Sequence, residues 1–440
     1  MSNLNKEQIR ALDTLNSGVN VFLTGEAGTG KSFLLKHFLE GRDDVLVCAP
    51  TGVAALNIGG VTIHRAFKLG NKPVVGKEVK SIPSVVQEAN IIVIDEISMC
   101  RVDLFDYVVR VIRHKKNTTN KDTQLIVVGD FFQLPPVMTN EDRDMLSEFY
   151  SDLDRGFCFE SNLWRESDFR TIILTEIVRQ DDKDFKINLN KARIGDLSCL
   201  DYFNSRVGKG TEDSIFLTSS NRNADEINKI KLDEIDSEEV TFEGKIVGDV
   251  CSSELPNNKC ITLKVGARVM SIVNDTVNDE YVNGSFGTVI DINDNSINVI
   301  LDNGNVTTIR KYSFEYYDYE VEEYVDKDFK VHKRLKRYLR GTYTQLPVKL
   351  AYAITVHKSQ GQTYDKAVVL PNMFTYGQLY VALSRCKSLE NLGLAYRIQS
   401  NYLKTSKNVK DFYYNTIKLE LDRLNKLKNE NYSEVKQNEF

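Results

Sequence analysis

Gly25-Glu26-Ala27-Gly28-Thr29-Gly30-Lys31-Ser32 decides how this chain is read. It fits the pattern of a glycine-rich turn, closed by Lys and a hydroxyl residue, that folds round phosphate groups. The flanks agree: an apolar β-like burst, Val19–Thr24, runs in and a helical stretch, Ser32–Leu39, runs out. Glycines let successive backbone N–H groups turn inward, and the helix N-terminus adds partial positive charge. Lys31 is expected to neutralise β/γ-phosphate charge and the Ser32 hydroxyl to hold Mg2+, with Gly25, Ala27, Gly28, Thr29 and Gly30 completing an ATP-binding loop. The bland alternative is a glycine turn with no ligand, and the strand-before, helix-after context weighs against it.

Working outward, β-rich bursts recur at Val45–Ala49, Ile91–Ile94, Gln124–Val128 and Thr171–Leu174, separated by helical stretches such as Asp103–Arg113. This alternation predicts an α/β unit with a parallel sheet covered on both faces. The burst Ile91–Ile94 ends in Asp95-Glu96, at the sheet edge where open α/β folds place ligands. Asp95 is expected in the Mg2+ shell beside Ser32, and Glu96 as the base that takes a proton from attacking water. On its own an Asp-Glu pair is often just a helix N-cap. Gln124–Val128 runs into Gly129-Asp130-Phe131-Phe132-Gln133-Leu134-Pro135-Pro136, where the Gln133 amide can sense a γ-phosphate or simply sit on a surface loop.

The chain has 440 residues, 41% apolar and 27% charged, which fits roughly two to four globular domains and excludes wholesale disorder. No run approaches the roughly 18 apolar residues of a membrane helix, so no membrane partner is expected. Seven scattered cysteines suit reduced thiols, and five histidines do not cluster with them as zinc ligands would. The net charge of −5 argues mildly against nucleic acid, yet acidic residues 315–328 precede a basic run at 332–340. The bland reading of that run is a solvated helix face beside an acidic one. Residues 240–312, rich in Val, Ile, Thr, Asn and Gly with turns at Asn283-Gly284 and Asn303-Gly304, predict a small antiparallel barrel. It interrupts a second α/β region with strands at Ser214–Ser219, Lys366–Leu370 and Leu392–Tyr396. The tail from Asp411 reads as a helix packing through Ile417, Leu421 and Leu424.

Further stretches follow in order: Ala49-Pro50-Thr51-Gly52-Val53-Ala54-Ala55, Thr62-Ile63-His64, Asp95-Glu96-Ile97-Ser98-Met99 and Leu174-Thr175-Glu176-Ile177-Val178-Arg179-Gln180. After them come Ala353-Ile354-Thr355-Val356-His357-Lys358-Ser359-Gln360-Gly361-Gln362-Thr363 and Tyr380-Val381-Ala382-Leu383-Ser384-Arg385. With the phosphate loop and the Gly-Asp stretch, this resembles the petite-integration-frequency (Pif) family of superfamily-one DNA helicases, relatives of the Dda and RecD motors. The resemblance covers about residues 4 to 396. It implies two RecA-like P-loop motor domains, at 1–175 and at 176–237 with 346–405, clasping ATP between them. A Src-homology-like β-barrel at 238–345, a wedge at about 64–83 and a C-terminal tail at 406–440 complete the expected layout.

The resemblance also implies roles. Gln8 would read the adenine, Arg179 and Arg385 would reach the γ-phosphate from the second motor, and Gln360 and Gly361 would line the same cleft. Thr51, Thr62, His64, Pro135, Val137, Thr355, His357 and Lys358 would face single-stranded DNA, positioning its backbone without reading sequence. His64 and His357 read equally as structural histidines, and Phe67, a candidate for base stacking, reads equally as core. At the exit of the insertion, the basic run 332–340 becomes a candidate for nucleic acid. One departure stands out: Asn117–Asp122 replaces the usual glycine-containing turn, leaving the subfamily open.

The expectation is an ATP-dependent 5′→3′ DNA helicase using ATP and Mg2+, with single-stranded DNA and single-strand/duplex junctions as partners. The resemblance, which also carries the polarity, further implies action on four-stranded guanine structures and RNA–DNA hybrids. A monomer should suffice, with no obligate protein partner, in the cytoplasm of a bacterial or phage-infected cell. Two rivals are a ring-forming remodelling ATPase and a DNA-binding module with a nucleotide switch. The distant block holding His357, Gln360 and Arg385 argues against the first, and Glu96 against the second.

Overall fold

Six short apolar runs build the first sheet. They are β1 (Val21–Gly25), β2 (Val45–Ala49), β3 (Val61–Thr62), β4 (Ile91–Ile94), β5 (Gln124–Val128) and β6 (Arg170–Leu174). The computed structural model describes residues 4–437 apart from 71, 178–181, 212–213, 276–279 and 326–329. The strands pair in parallel in the order β3-β2-β4-β5-β1-β6. Every residue of β1, β2, β4 and β5 is buried, as strands covered on both faces must be. Adjacent β4, β5 and β1 therefore end together, bringing Asp95, Gly129 and Gly25 to one edge.

The helix Val102–Thr119 runs straight through Asn117–Thr119, where the sequence departs from the family pattern, and stops at Asn120. Asn120 takes φ +55°, a left-handed conformation that Asn tolerates better than most residues, and so does the work of the missing glycine.

A second parallel sheet starts with β7 (Ile215–Thr218) and is then interrupted by an antiparallel module. The module contains β8 (Glu239–Glu243), β9 (Lys245–Gly248), β10 (Cys260–Lys264), β11 (Arg268–Ser271), β12 (Phe286–Asn293), β13 (Ser296–Leu301), β14 (Val306–Arg310), β15 (Tyr312–Val325), β16 (Val331–Gln345) and β17 (Val348–Leu350). The chain returns to the second sheet with β18 (Ala353–Thr355), β19 (Ala367–Val369) and β20 (Leu392–Leu394), in the order β18-β7-β19-β20. Leu263, Val269, Val289, Val299 and Val348 form the module's own core.

Two expectations are corrected here. The basic run 332–340 is strand β16, not a helix face, and it pairs antiparallel with the acidic β15. Lys333 meets Glu323 at 3.5 Å, Arg334 meets Glu322 at 2.6 Å, and Lys336 meets Glu322 at 2.6 Å. The two charge runs are thus cross-strand partners of one hairpin, and these cations face carboxylates. The C-terminal helix, Lys407–Gln437, does pack back on the body, but through Val409, Phe412 and Tyr413. Ile417 and Leu421 are exposed instead, and Leu424 lies outside the described side chains.

Candidate active site and nucleic-acid interface

At the end of β1 the glycine turn closes tightly on its surroundings. A Cβ on Gly25 would lie 2.4 Å from the Leu174 carbonyl oxygen, and one on Gly30 would lie 2.6 Å from Gln8 Nε2. Gln8 is buried behind Gly30, held by its capping box with Asn5. Thr29 is also buried, and its hydroxyl braces the loop by donating to the Glu26 carbonyl at 3.0 Å. Lys31 Nζ donates to the carbonyls of Gly25 at 2.8 Å and Glu26 at 2.9 Å. Burial pushes its pKa down, while Asp130, Glu96 and Asp95 oppose that shift. Ser32 and Phe33 are exposed at the mouth.

The loop forms one wall of a pocket of about 370 Å3, a size within the ordinary range of ligand sites. Asp95, Glu96 and Gln133 line it from the first motor, and Gly361 and Arg385 from the second. Glu96 adopts φ +51°, a left-handed conformation that costs a carboxylate residue energy and points to a constrained functional position. Burial, and then repulsion from Asp95, push its pKa up to about 7. Burial likewise raises Asp95, whose Oδ1 accepts the Glu96 N–H at 2.9 Å.

From the second motor, Gln360 Nε2 donates to Glu96 Oε2 at 2.8 Å and reaches Gln133 Oε1 at 3.3 Å. Its own Oε1 is buried with no hydrogen-bond partner among the described residues. Arg385 is buried in the pocket wall, held by the Val381, Ser359 and Gln362 carbonyls at 2.7, 3.0 and 3.1 Å. It stands at the cleft while bonded within its own domain. Arg179 lies outside the described residues. The sequence reading missed Tyr380, whose hydroxyl accepts the Ala27 N–H of the phosphate loop at 3.1 Å. It lies inside a stretch quoted for its arginine, and no local pattern marks its reach.

The residues suit ATP and Mg2+. The glycine turn and Lys31 form one wall of the pocket, while Ser32 and Asp95 offer one hydroxyl and one carboxylate. Mg2+ takes such a sparse protein shell when phosphates complete it.

Among the residues expected to face DNA, the Thr51 hydroxyl caps the helix Gly52–Ile58 by accepting from Ala54 N at 3.3 Å, and Thr62 caps Ile63–Ala66 by accepting from Arg65 N at 3.3 Å. Each hydroxyl serves as an acceptor there, so its hydrogen stays suited to an anion. His64 and His357 are half-buried, and burial lowers the pKa of both, so they stand as neutral imidazoles at pH 7. Thr355 is buried and accepts the Lys358 N–H at 3.3 Å, while the Lys358 side chain is exposed. Val137 is 73% exposed.

Two residues are corrected. Phe67, 2% exposed, belongs to the first motor's core and offers no face to a base. Pro135 is buried as well, so its ring is not a DNA-facing surface. Beyond Ala66 the 64–83 segment has no regular secondary structure among its described residues. It is tied to the helix Val102–Thr119 through Val74 N to Asp103 at 2.8 Å and Arg110 to the Lys77 carbonyl at 2.9 Å.

A relative from Bdellovibrio bacteriovorus, "ATP-dependent DNA helicase Pif1", is 34% identical over 414 residues, spanning 89% of this chain and 87% of the relative. The chain belongs to the PIF1-like helicases. The family model described as "PIF1-like helicase" matches residues 3–213. Among solved structures, Bacteroides Pif1 in complex with ADP-AlF4 superposes with a TM-score of 0.82 at 32% identity, covering 94% of this chain and 97% of that one. Bacteroides Pif1 bound to ssDNA gives 0.65 at 33% identity, covering 94% and 96%. This PIF1-like helicase is accordingly an ATP-dependent DNA helicase with two RecA-like motor domains. Among the described residues, no helix is long and apolar enough to cross a membrane.

Proposed function

We propose that this helicase moves 5′→3′ along single-stranded DNA, with Glu96 as the base of ATP hydrolysis and the second motor sensing the nucleotide through Gln360. One observation carries the reading. The Gln360 amide bridges Glu96 and Gln133 at 2.8 and 3.3 Å, so a residue of one motor touches two hydrolytic groups of the other. Polarity follows from membership of the family rather than from this geometry.

In the reaction, Glu96 takes a proton from water as its oxygen attacks the γ-phosphorus, and the bond to the β-phosphate oxygen breaks to leave ADP and phosphate. A base titrating near neutrality is well matched to this task. Gln133 orients the water, and Lys31 offsets charge on the phosphates. Ser32 and Asp95 would hold Mg2+, which would supply positive charge against the phosphate oxygens. Arg179 and Arg385 act from the second motor, where such a guanidinium is worth about 10³–10⁵ in rate. Gln8 flanks the adenine, and Gln360 and Gly361 close the cleft.

Closure of the motors on ATP and reopening after hydrolysis would alternate the grip on DNA at Thr51, Thr62, His64, His357 and Lys358, as hydroxyls, neutral imidazoles and one lysine suit a sequence-independent backbone track, with Val137 offering an exposed apolar face. The 64–83 segment is the wedge at the junction. The same motor would serve on four-stranded guanine structures and RNA–DNA hybrids, as a cytoplasmic monomer.

The test pairs steady-state ATP hydrolysis, with and without oligothymidine, with unwinding of duplexes carrying a 5′ or a 3′ single-stranded tail. DNA-stimulated hydrolysis and unwinding from the 5′ tail are expected. Preference for the 3′ tail refutes the polarity, and turnover by Glu96→Gln equal to wild type refutes the base.

A further inference from the structure

The sequence singles out the C-terminal segment as a packing helix only. Its Tyr413 nevertheless reaches the heart of the first motor. The Tyr413 hydroxyl lies 2.7 Å from Thr24 Oγ1, accepts the Phe131 N–H at 3.2 Å and sits 3.2 Å from Asp130 Oδ1. One hydroxyl has a single proton and two lone pairs. The arrangement is satisfied in one way: Tyr413 donates to Asp130 and accepts from Thr24 and Phe131.

Thr24 is the residue before the phosphate loop, and Asp130 and Phe131 lie in the loop after β5 that carries Gln133. Asp130 is buried and carries a second partner. Arg193, on the helix Lys183–Ile194, binds it through Nη2 at 2.9 Å and Nε at 3.1 Å. The Arg193 guanidinium lies 4.2 Å over the Phe132 ring and 5.4 Å from that of Tyr413. Phe132 and Tyr413 are themselves stacked at 4.9 Å. Asp130 Oδ1 also accepts the Phe132 N–H at 3.1 Å, and Gln133 N donates to the Asp130 carbonyl at 2.9 Å. The backbone leading to Gln133 is therefore pinned on both sides by groups from outside the first sheet.

We infer that Tyr413 and Arg193 are positioning residues for ATP hydrolysis: through Asp130 they fix where Gln133 stands relative to the phosphate loop and to Glu96. Neither touches the pocket, so neither is catalytic. Tyr413 sets the distance between the strand that feeds the phosphate loop and the Gln133 loop. Arg193 makes that setting depend on the seating of the helix that follows β6. A bidentate pair fixes orientation as well as distance, which a single lysine contact cannot do. The inference rests on the role given to Gln133 above.

The test is a kinetic cycle on the full-length protein, reading DNA-stimulated kcat and KM for ATP. Tyr413→Phe keeps the ring and removes one oxygen. Its kcat is expected to fall on the order of five- to tenfold, the span of indirect coupling through a packed network, with KM within about twofold. In a Gln133→Ala background, the same substitution is expected to cost nothing further, because the residue it acts through is gone. A loss of stability alone would lower activity equally in both backgrounds. Arg193→Met should behave as Tyr413→Phe does, and Arg193→Lys should recover part of the loss; this arm carries the test if Tyr413→Phe does not fold. Equal losses in both backgrounds, or wild-type kcat in a folded Tyr413→Phe protein, overturn the inference. Wild-type kcat in Gln133→Ala alone overturns the role of Gln133 instead.

Discussion

Replacing Gln360 by Ala removes the hydrogen bond that the second motor donates to Glu96. That bond, 2.8 Å long, stabilises the carboxylate form, whereas burial and Asp95 raise the pKa to about 7. The sign follows: without the donor, the charged form loses support and the pKa rises further. A buried hydrogen bond to a charged group is worth about 1.5 kcal/mol or more, which corresponds to about one pKa unit. As the proposed base, Glu96 must be deprotonated to accept the proton from water, so activity should rise with pH through its pKa. At pH 7 the competent fraction then drops from about one half to about one tenth, a loss of about fivefold that is regained above about pH 9. The assay is kcat/KM for ATP across pH 5.5–9.5 with saturating oligothymidine, because this ratio reports ionisations of the free enzyme. An acid limb that stays in place, or a loss that persists at high pH, would refute the reasoning. Either result would mean that Gln360 acts on something other than Glu96.

Lys358→Ala should weaken oligothymidine and mixed-sequence DNA to the same extent and flatten the salt dependence by about 0.7 in log–log slope, as loss of one phosphate contact requires; fluorescence anisotropy at several salt concentrations measures both. Phe67→Ala should destabilise the fold by about 3–5 kcal/mol, the cost of emptying a buried aromatic site, while any protein that remains folded binds DNA as wild type does, which a denaturant melt and the same anisotropy assay separate. Ending the chain after Ser406 removes Phe412, stacked on Phe159 at 4.4 Å and edge-on to Phe131 at 5.3 Å, together with Tyr413. The truncated protein should unfold at a much lower temperature in calorimetry, losing the first motor's aromatic core.

The residues proposed for hydrolysis were legible as motifs because each belongs to a short backbone event. Gly25–Ser32 is a turn that only glycines can make, and Asp95-Glu96 is the end of a buried strand; both can be read within eight or so residues. The misread segments share the opposite property. The run 332–340 looks helical while its charges lack partners, and it becomes a strand once Glu320–Glu323 lie across from it. Phe67 and Pro135 sit inside motifs that face a ligand, yet burial is settled by what packs on them from elsewhere. On the tail, Ile417 and Leu421 carry the apolar pattern but stay exposed, and the helix meets the core earlier, through Val409, Phe412 and Tyr413.

By itself, then, the sequence determined a phosphate-loop α/β motor, the two carboxylates Asp95 and Glu96 at the ligand edge of its sheet, and the antiparallel module set into its second half. Tertiary structure decided which side chains meet across the cleft. The contacts of Gln360 with Glu96, Tyr380 with Ala27, and Tyr413 and Arg193 with Asp130 span 63 to 353 residues of chain. Local propensity acts over one turn or one strand, and pairs this distant are set by how two sheets and a returning helix pack.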